Sequence, residues 1–116
     1  MLTEKQKNAV SYAIEKGDNI VIGGMMATGK STLYHELIAE CSSSKYNYTL
    51  VDEAITETDI DFVNGRLGQG SSTPIMFTTH LASAEDVKKK FPSFTGLVLH
   101  TLRQRDVFSV EVTGVV

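Results

Sequence analysis

Short runs of consecutive apolar residues alternate along the chain with stretches in which apolar side chains recur every three or four positions. The runs predict buried strands, and the recurring stretches predict amphipathic helices. The predicted helices cover residues 3–17, 30–40, 58–67 and 83–91, and the predicted strands cover residues 19–23, 46–51, 74–79 and two segments of 96–112. Strands separated by helices predict an α/β fold with a mainly parallel sheet, which the last two strands close.

Local signals mark the ends of these elements. Thr3 and Gln6 have the spacing of a capping box at the start of the first helix, and Gly17 is placed to end that helix. Three consecutive serines at 42–44 break the second helix, a glycine-rich loop covers residues 68–72, and the last two strands turn near residues 104–106. The apolar face expected for the first helix consists of Leu2, Gln6, Ala9, Val10, Ala13 and Ile14.

The composition restricts the class of protein. The chain has 116 residues, 41% of them hydrophobic and 22% charged, which suits one globular domain over residues 1–116. The net charge of −3 argues against a dedicated binder of nucleic acid or of a membrane surface. Cys41 is the only cysteine, so neither an internal disulfide nor a cysteine-based zinc site can form, and we expect a cytoplasmic protein without membrane insertion.

The strongest chemical signal is the segment GMMATGKS at residues 24–31, which matches G-x-x-x-x-G-K-[ST] in full. An apolar strand precedes it and an amphipathic helix follows it, as a phosphate-binding loop requires. Glycines let successive backbone N–H groups turn towards an anion, and the helix points its positive end at the same place. The residues predicted to bind ATP are Gly24, Met25, Met26, Ala27, Thr28, Gly29, Lys30, Ser31 and Thr32.

Individual roles follow from the chemistry of the side chains. Lys30 is expected to reach the β- and γ-phosphates, and the Ser31 hydroxyl is expected to bind Mg²⁺. Asp52 and Glu53 end the next strand, and ligands lie at the carboxyl ends of parallel strands. Asp52 is therefore predicted to hold Mg²⁺, and Glu53 to act as the general base that polarises the attacking water.

A third strand also ends in polar groups, Thr79 and His80. We expect its carboxyl end to lie between those of the other two strands. From there Thr79 and His80 could sense the γ-phosphate or hold the attacking water, and His80 is included among the predicted catalytic residues.

Taken together, these segments resemble the ATPase superfamily of type II and type IV secretion, conjugation and pilus retraction. The similar stretches are residues 19–24 leading into 29–33, Val51-Asp52-Glu53 as a Walker B strand, and residues 68–70 with 78–84 as a glycine turn and histidine box. The resemblance implies a RecA-like P-loop NTPase domain of the ASCE type, Mg-dependent ATP hydrolysis, and a homo-oligomer such as a ring or docking to a larger ATPase assembly. Neighbouring subunits would then supply an arginine, with Arg66, Arg103 and Arg105 as candidates.

The sequence also departs from the family. Residues 1–116 include no stretch that resembles the family's usual N-terminal domain or C-terminal extension, so we expect a trimmed form. Only residues 41–46 separate the helix from the Walker B strand, and Gln69 stands where a histidine is usual. Such trimming suits a phage- or plasmid-borne miniature. Two alternatives stay open: a non-hydrolysing nucleotide-binding regulator of a larger ATPase, and a small P-loop kinase, for which the chain offers no arginine-rich lid.

Overall fold

The helices begin and end at residues whose local chemistry favours those ends. In the computed structural model, which describes residues 2–69 and 74–115, the helices are α1 (Glu4–Lys16), α2 (Lys30–Ser42), α3 (Glu57–Leu67) and α4 (Ala84–Lys90). Thr3 and Gln6 exchange hydrogen bonds of 3.0 and 3.2 Å, which confirms the predicted capping box, and Gly17 ends α1 in the left-handed conformation.

The strands form one mixed sheet. They are β1 (Asn19–Gly23), β2 (Thr49–Val51), β3 (Ile75–Thr79), β4 (Gly96–Gln104) and β5 (Val107–Val115). Their order across the sheet is β2-β3-β1-β4-β5, with β5 antiparallel to β4 and the other neighbours parallel. The prediction that β3 lies between β1 and β2 is confirmed. The carboxyl ends of β1, β2, β3 and β4 therefore share one edge of the sheet.

The helices cover both faces of the sheet, so the fold is α/β with five strands and four helices among the described residues. Ile20 and Ile22 of β1 pack in the cluster that contains α1 and α2 side chains, whereas Val21 packs in the cluster beneath α3 and α4. In the second cluster the Phe77 and Phe91 ring centroids lie 4.8 Å apart. Burial on both faces explains the uninterrupted apolar runs at residues 20–22 of β1 and 75–77 of β3.

Some predicted boundaries differ from the structure. The strand predicted at 46–51 is only Thr49–Val51, because Asn47 has a φ of 54° and cannot continue an extended strand. Ala9 is exposed, so the buried face of α1 is narrower than predicted. Helix α2 continues to Ser42 before the serine run ends it. Of the predicted loop at 68–72, residues 70–72 lie outside the described residues.

A buried thiol and a buried phenol are expected to lower the free energy of unfolding at alkaline pH. Burial raises the pKa of the Cys41 thiol from 9.0 to about 12, and burial also raises the pKa of Tyr48, whose hydroxyl donates to Asp18 O at 2.6 Å. In the unfolded chain both groups ionise at lower pH than in the folded chain. Their contribution to stability is therefore complete below about pH 9 and is lost as pH rises towards 12.

We expect the free energy of unfolding to fall above about pH 9, by up to about 1.4 kcal/mol per pH unit for each group. Urea denaturation from pH 8 to pH 11 measures this fall. Cys41→Ala lowers stability at every pH because it opens a small cavity, but its stability should decline less steeply with pH. Equal slopes in the two proteins would show that the thiol does not contribute.

Within residues 2–69 and 74–115, no helix combines the length and the apolar character needed to cross a membrane.

Candidate functional site

The loop between β1 and α2 is held close to β4. Gly24, the first loop residue, has a φ of 152°, and a Cβ at this position would lie 2.4 Å from the Thr101 hydroxyl oxygen and 2.8 Å from the Thr101 carbonyl oxygen. Glycine is therefore required here by both the backbone angle and the available space. The first glycine of the motif lets the loop approach the neighbouring strand.

A pair of threonines fixes the far side of the loop. The Thr28 hydroxyl donates to Met25 O at 2.6 Å, and its oxygen lies 2.7 Å from the hydroxyl oxygen of Thr101 on β4. Thr101 is only 1% exposed, so its end of this hydrogen bond is shielded from water, whereas Thr28 is partly exposed. The loop is consequently tied to β4 through a side chain 73 residues away in sequence.

The loop leads directly into the N-terminus of α2. Gly29 precedes the helix with a φ of 92°, and no hydrogen bond from a side chain caps the helix there among the described residues. The first backbone N–H groups of a helix have no partner within the helix, and the helix dipole adds positive potential at this end. This end of α2 is therefore suited to an anion.

Lys30 places a positive charge at the same end of α2. Its side chain is 8% exposed, and Nζ donates to Gly24 O at 2.7 Å and to Met25 O at 3.2 Å. Burial lowers the pKa of Lys30, and the nearby carboxylates of Glu53 and Asp52 oppose that shift. An ammonium group has three donors, so two carbonyl contacts leave one donor for a phosphate oxygen.

The two predicted acids sit on a turn that Thr78 organises. The Thr78 hydroxyl donates to Asp52 Oδ1 at 2.8 Å and accepts from the Glu53 backbone N–H at 2.6 Å. The Thr78 carbonyl accepts from the Ala54 N–H at 2.8 Å. Glu53 itself has a φ of 60°, a conformation that is unfavourable for a residue with a side chain. Thr78, which is fully buried, thus holds the turn after β2 against this strain.

These elements meet around a cavity of about 310 Å³ at the carboxyl edge of the sheet. Its lining residues are Met26, Ala27, Gly29, Lys30, Ser31, Thr32, Glu53 and His80. Most of the residues predicted from the sequence as site residues are therefore brought together. Gly24, Met25 and Thr28 shape the loop without lining the cavity, and Asp52 is connected to it through Thr78.

The predicted site residues do not line two larger cavities, and one predicted polar residue, Thr79, lies outside the 310 Å³ cavity. The two larger cavities, of about 610 and 630 Å³, lie beside α1 and α2 and contain none of the predicted site residues. Thr79 does not line the 310 Å³ cavity, and its hydroxyl accepts from the Leu81 N–H at 3.5 Å. His80, one residue further along, does line it.

The arginines predicted as candidates for a neighbouring site lie away from this cavity. Arg66 Nη2 donates to the Thr49 hydroxyl at 2.7 Å, at the amino end of β2 and therefore at the opposite edge of the sheet. The Arg103 guanidinium lies 5.1 Å from the centre of the Phe108 ring, and its Nε donates to Arg105 O at 2.8 Å. No arginine lines the cavity in the part of the chain that the structure describes.

A magnesium ion at this site would need ligands from phosphate and water as well as from the protein. Across residues 2–69 and 74–115, no group of three or more His, Cys, Asp or Glu side chains could hold a metal by itself. Mg²⁺ usually binds one or two protein oxygen ligands together with substrate phosphates and water. Ser31 lines the cavity, and the Asp52 carboxylate, which does not line it, precedes Glu53 and accepts a hydrogen bond from the Thr78 hydroxyl, so these two residues are the ones that would supply the protein oxygens.

Sequence reasoning missed two threonines, Thr78 and Thr101. Both are buried hydroxyls in otherwise apolar strands, and each bonds a part of the site from a distant place in the chain. A buried hydroxyl needs a hydrogen-bond partner, so a threonine inside an apolar run is the signal that could have identified them.

Thr78→Val should slow any turnover at this site about tenfold, because the lost hydroxyl bonds a charged carboxylate and holds the Glu53 turn. ATP affinity, if the loop at residues 24–31 binds ATP as predicted, should stay within about twofold, since the substitution leaves that loop untouched. Steady-state kinetics and calorimetry measure the two effects. Thr113→Val is the matched control, because it removes a strand hydroxyl that donates to Val98 O at 3.1 Å, away from the loop. Equal turnover in the two variants would contradict the role of Thr78.

Comparison with models of known protein families and with curated proteins gives no match for this sequence.

Proposed function

We propose that the protein binds Mg-ATP and hydrolyses it, as a minimal P-loop NTPase domain resembling the secretion, pilus and conjugation ATPases. The observation that carries the proposal is the convergence on one cavity of the phosphate-loop residues with Glu53 and His80 from two other strand ends. A chance glycine-rich turn would have no reason to face a carboxylate and an imidazole across a cavity.

Each residue has a role that its position supports. The backbone N–H groups of the loop and of the first turn of α2 bind phosphate oxygens, and Lys30 adds a charge at the β- and γ-phosphates. Ser31 and Asp52 would hold Mg²⁺, which supplies charge neutralisation at the phosphates when bound. Glu53 accepts a proton from the attacking water, and His80 donates to the γ-phosphate or orients that water.

The proposed cycle includes a second subunit. Charge develops on the phosphoryl oxygens during transfer, and in many NTPases an arginine from a neighbouring molecule stabilises it. The cavity has no arginine among its described lining residues, so a homo-oligomer or a larger cytoplasmic ATPase assembly would supply one. The turnover rate per molecule should therefore rise with protein concentration if the protein forms a homo-oligomer, or on addition of the larger ATPase assembly if the arginine comes from there.

Steady-state ATPase measurements, combined with mass determination with and without ATP, test the proposal. We expect ADP and phosphate to form in proportion, in a magnesium-dependent reaction. Tight binding of ATP without turnover would instead identify a nucleotide-binding regulator, and transfer of the phosphate to a small molecule would identify a kinase. The absence of any ATP binding would refute the assignment of the loop.

A further inference from the structure

The β4–β5 hairpin extends beyond the carboxyl end of β1, where the phosphate loop begins. Gly23, the last residue of β1, pairs with His100, yet β4 runs on to Gln104 and stays paired with β5 from Val107. The end of this hairpin therefore projects beyond the last residue of the neighbouring strand β1, on the same edge as the loop.

The face of the hairpin next to the loop carries a stacked pair of side chains. Thr101 contacts Thr28 of the loop, and strand alternation places Arg103 on the same face, about 7 Å further along β4. Phe108 is directly opposite Arg103 in the antiparallel register and so shares that face. The Arg103 guanidinium lies 5.1 Å from the Phe108 ring centre, and Phe108 remains 43% exposed.

The direction of a bound nucleotide follows from the order of the strands. Glu53 and His80 follow β2 and β3, which lie on one side of β1, whereas β4 and β5 lie on the other side. The γ-phosphate of a bound nucleotide is expected to face Glu53 and His80, and the rest of the triphosphate is expected to cross the loop after β1. The nucleoside then lies on the other side of β1, towards the hairpin.

We propose that Phe108 and Arg103 form the platform on which the nucleobase of the substrate stacks. This inference rests on the proposed nucleotide-binding function of the loop. An aromatic ring and a guanidinium plane both stack on a base, and such stacking tolerates any base because every base has a π face. The substrate class is therefore a nucleoside triphosphate selected by its phosphates and its ring system, and ATP and GTP should bind with affinities within about fivefold of each other.

Calorimetry with two ligands, Mg-ATP and inorganic tripolyphosphate, separates the platform from the loop. Phe108→Ala should weaken ATP binding about tenfold, which is typical of the loss of one stacked base, and leave tripolyphosphate affinity unchanged. Phe108→Trp should retain ATP affinity. Val107→Ala is the matched control, since Val107 is 66% exposed on the opposite face of the same hairpin and should bind both ligands normally.

The outcomes distinguish this inference from the function on which it rests. If tripolyphosphate binds in a Lys30-dependent way but Phe108→Ala leaves ATP affinity unchanged, the platform is wrong and the loop assignment stands. If Phe108→Ala weakens both ligands equally, Phe108 supports the fold or the loop and the platform is also wrong. If the wild-type protein binds neither ligand, both proposals fail. Melting temperatures and solution masses, measured for each variant, show whether Phe108 instead joins two copies of the chain.

Discussion

Lys30→Ala should lower the affinity for Mg-ATP by about 100-fold or more and leave the fold intact. The side chain is buried at the start of α2, where its ammonium group already donates to two loop carbonyls. A charged donor in such a site contributes several times more to binding than an exposed one, because water screens it weakly. Its removal takes away the only lysine that lines the described cavity.

Calorimetry with ATP in the presence of Mg²⁺ measures the effect. Lys30→Met keeps most of the side-chain volume, so a comparison of the two variants separates the lost charge from lost packing. Lys5→Ala is the matched control, since Lys5 is exposed on α1. ATP affinity that stays unchanged in Lys30→Ala, with melting temperatures as in the wild type, would refute the assignment of the phosphate loop.

Glu53→Gln should slow ATP hydrolysis at least about 100-fold while ATP binds with nearly normal affinity. The substitution keeps the size of the side chain and its ability to hydrogen bond, but an amide cannot accept the proton of the attacking water. A positioned general base typically contributes 10²- to 10⁴-fold to the rate, which sets the expected size of the effect.

Single-turnover hydrolysis and calorimetry separate the chemical step from binding. Glu57→Gln makes the same chemical change at an exposed position at the start of α3 and should hydrolyse ATP at the wild-type rate. If Glu53→Gln also hydrolyses ATP at that rate, another group activates the water. If it loses ATP binding instead, Glu53 supports the shape of the site.

Most of the fold could be predicted because its local signals are strong. The run at 19–23 is apolar and short, Thr3 and Gly17 mark the ends of α1, and Ser83 precedes α4, so pattern and capping agree in each case. The order of β1, β2 and β3 followed from the expectation that the polar strand ends converge. The failures at Asn47 and Ala9 depend on a backbone angle and on the exact rotation of a helix, which periodicity does not determine.

The candidate site was predicted less completely than the fold. Residues within the motif could be named because their spacing is itself the signal. The support given by Thr78 and Thr101 could not be named, because these hydroxyls act on residues that are far away in sequence and next to them only in the folded chain. The pairing of Arg103 with Phe108 could not be predicted for the same reason, since it depends on the register of β4 against β5.

The Thr78 hydroxyl couples the residues of the turn that carries Asp52 and Glu53, and this coupling limits how the site can change by mutation. Because Thr78 bonds both Asp52 and the backbone of Glu53, the effects of substitutions at these three positions should not be independent. A variant that has already lost Thr78 should lose less from a change at Asp52 than the wild type does. Evolution or engineering of this part of the site would then have to replace the three residues together, since the effect of any one replacement on activity depends on the other two.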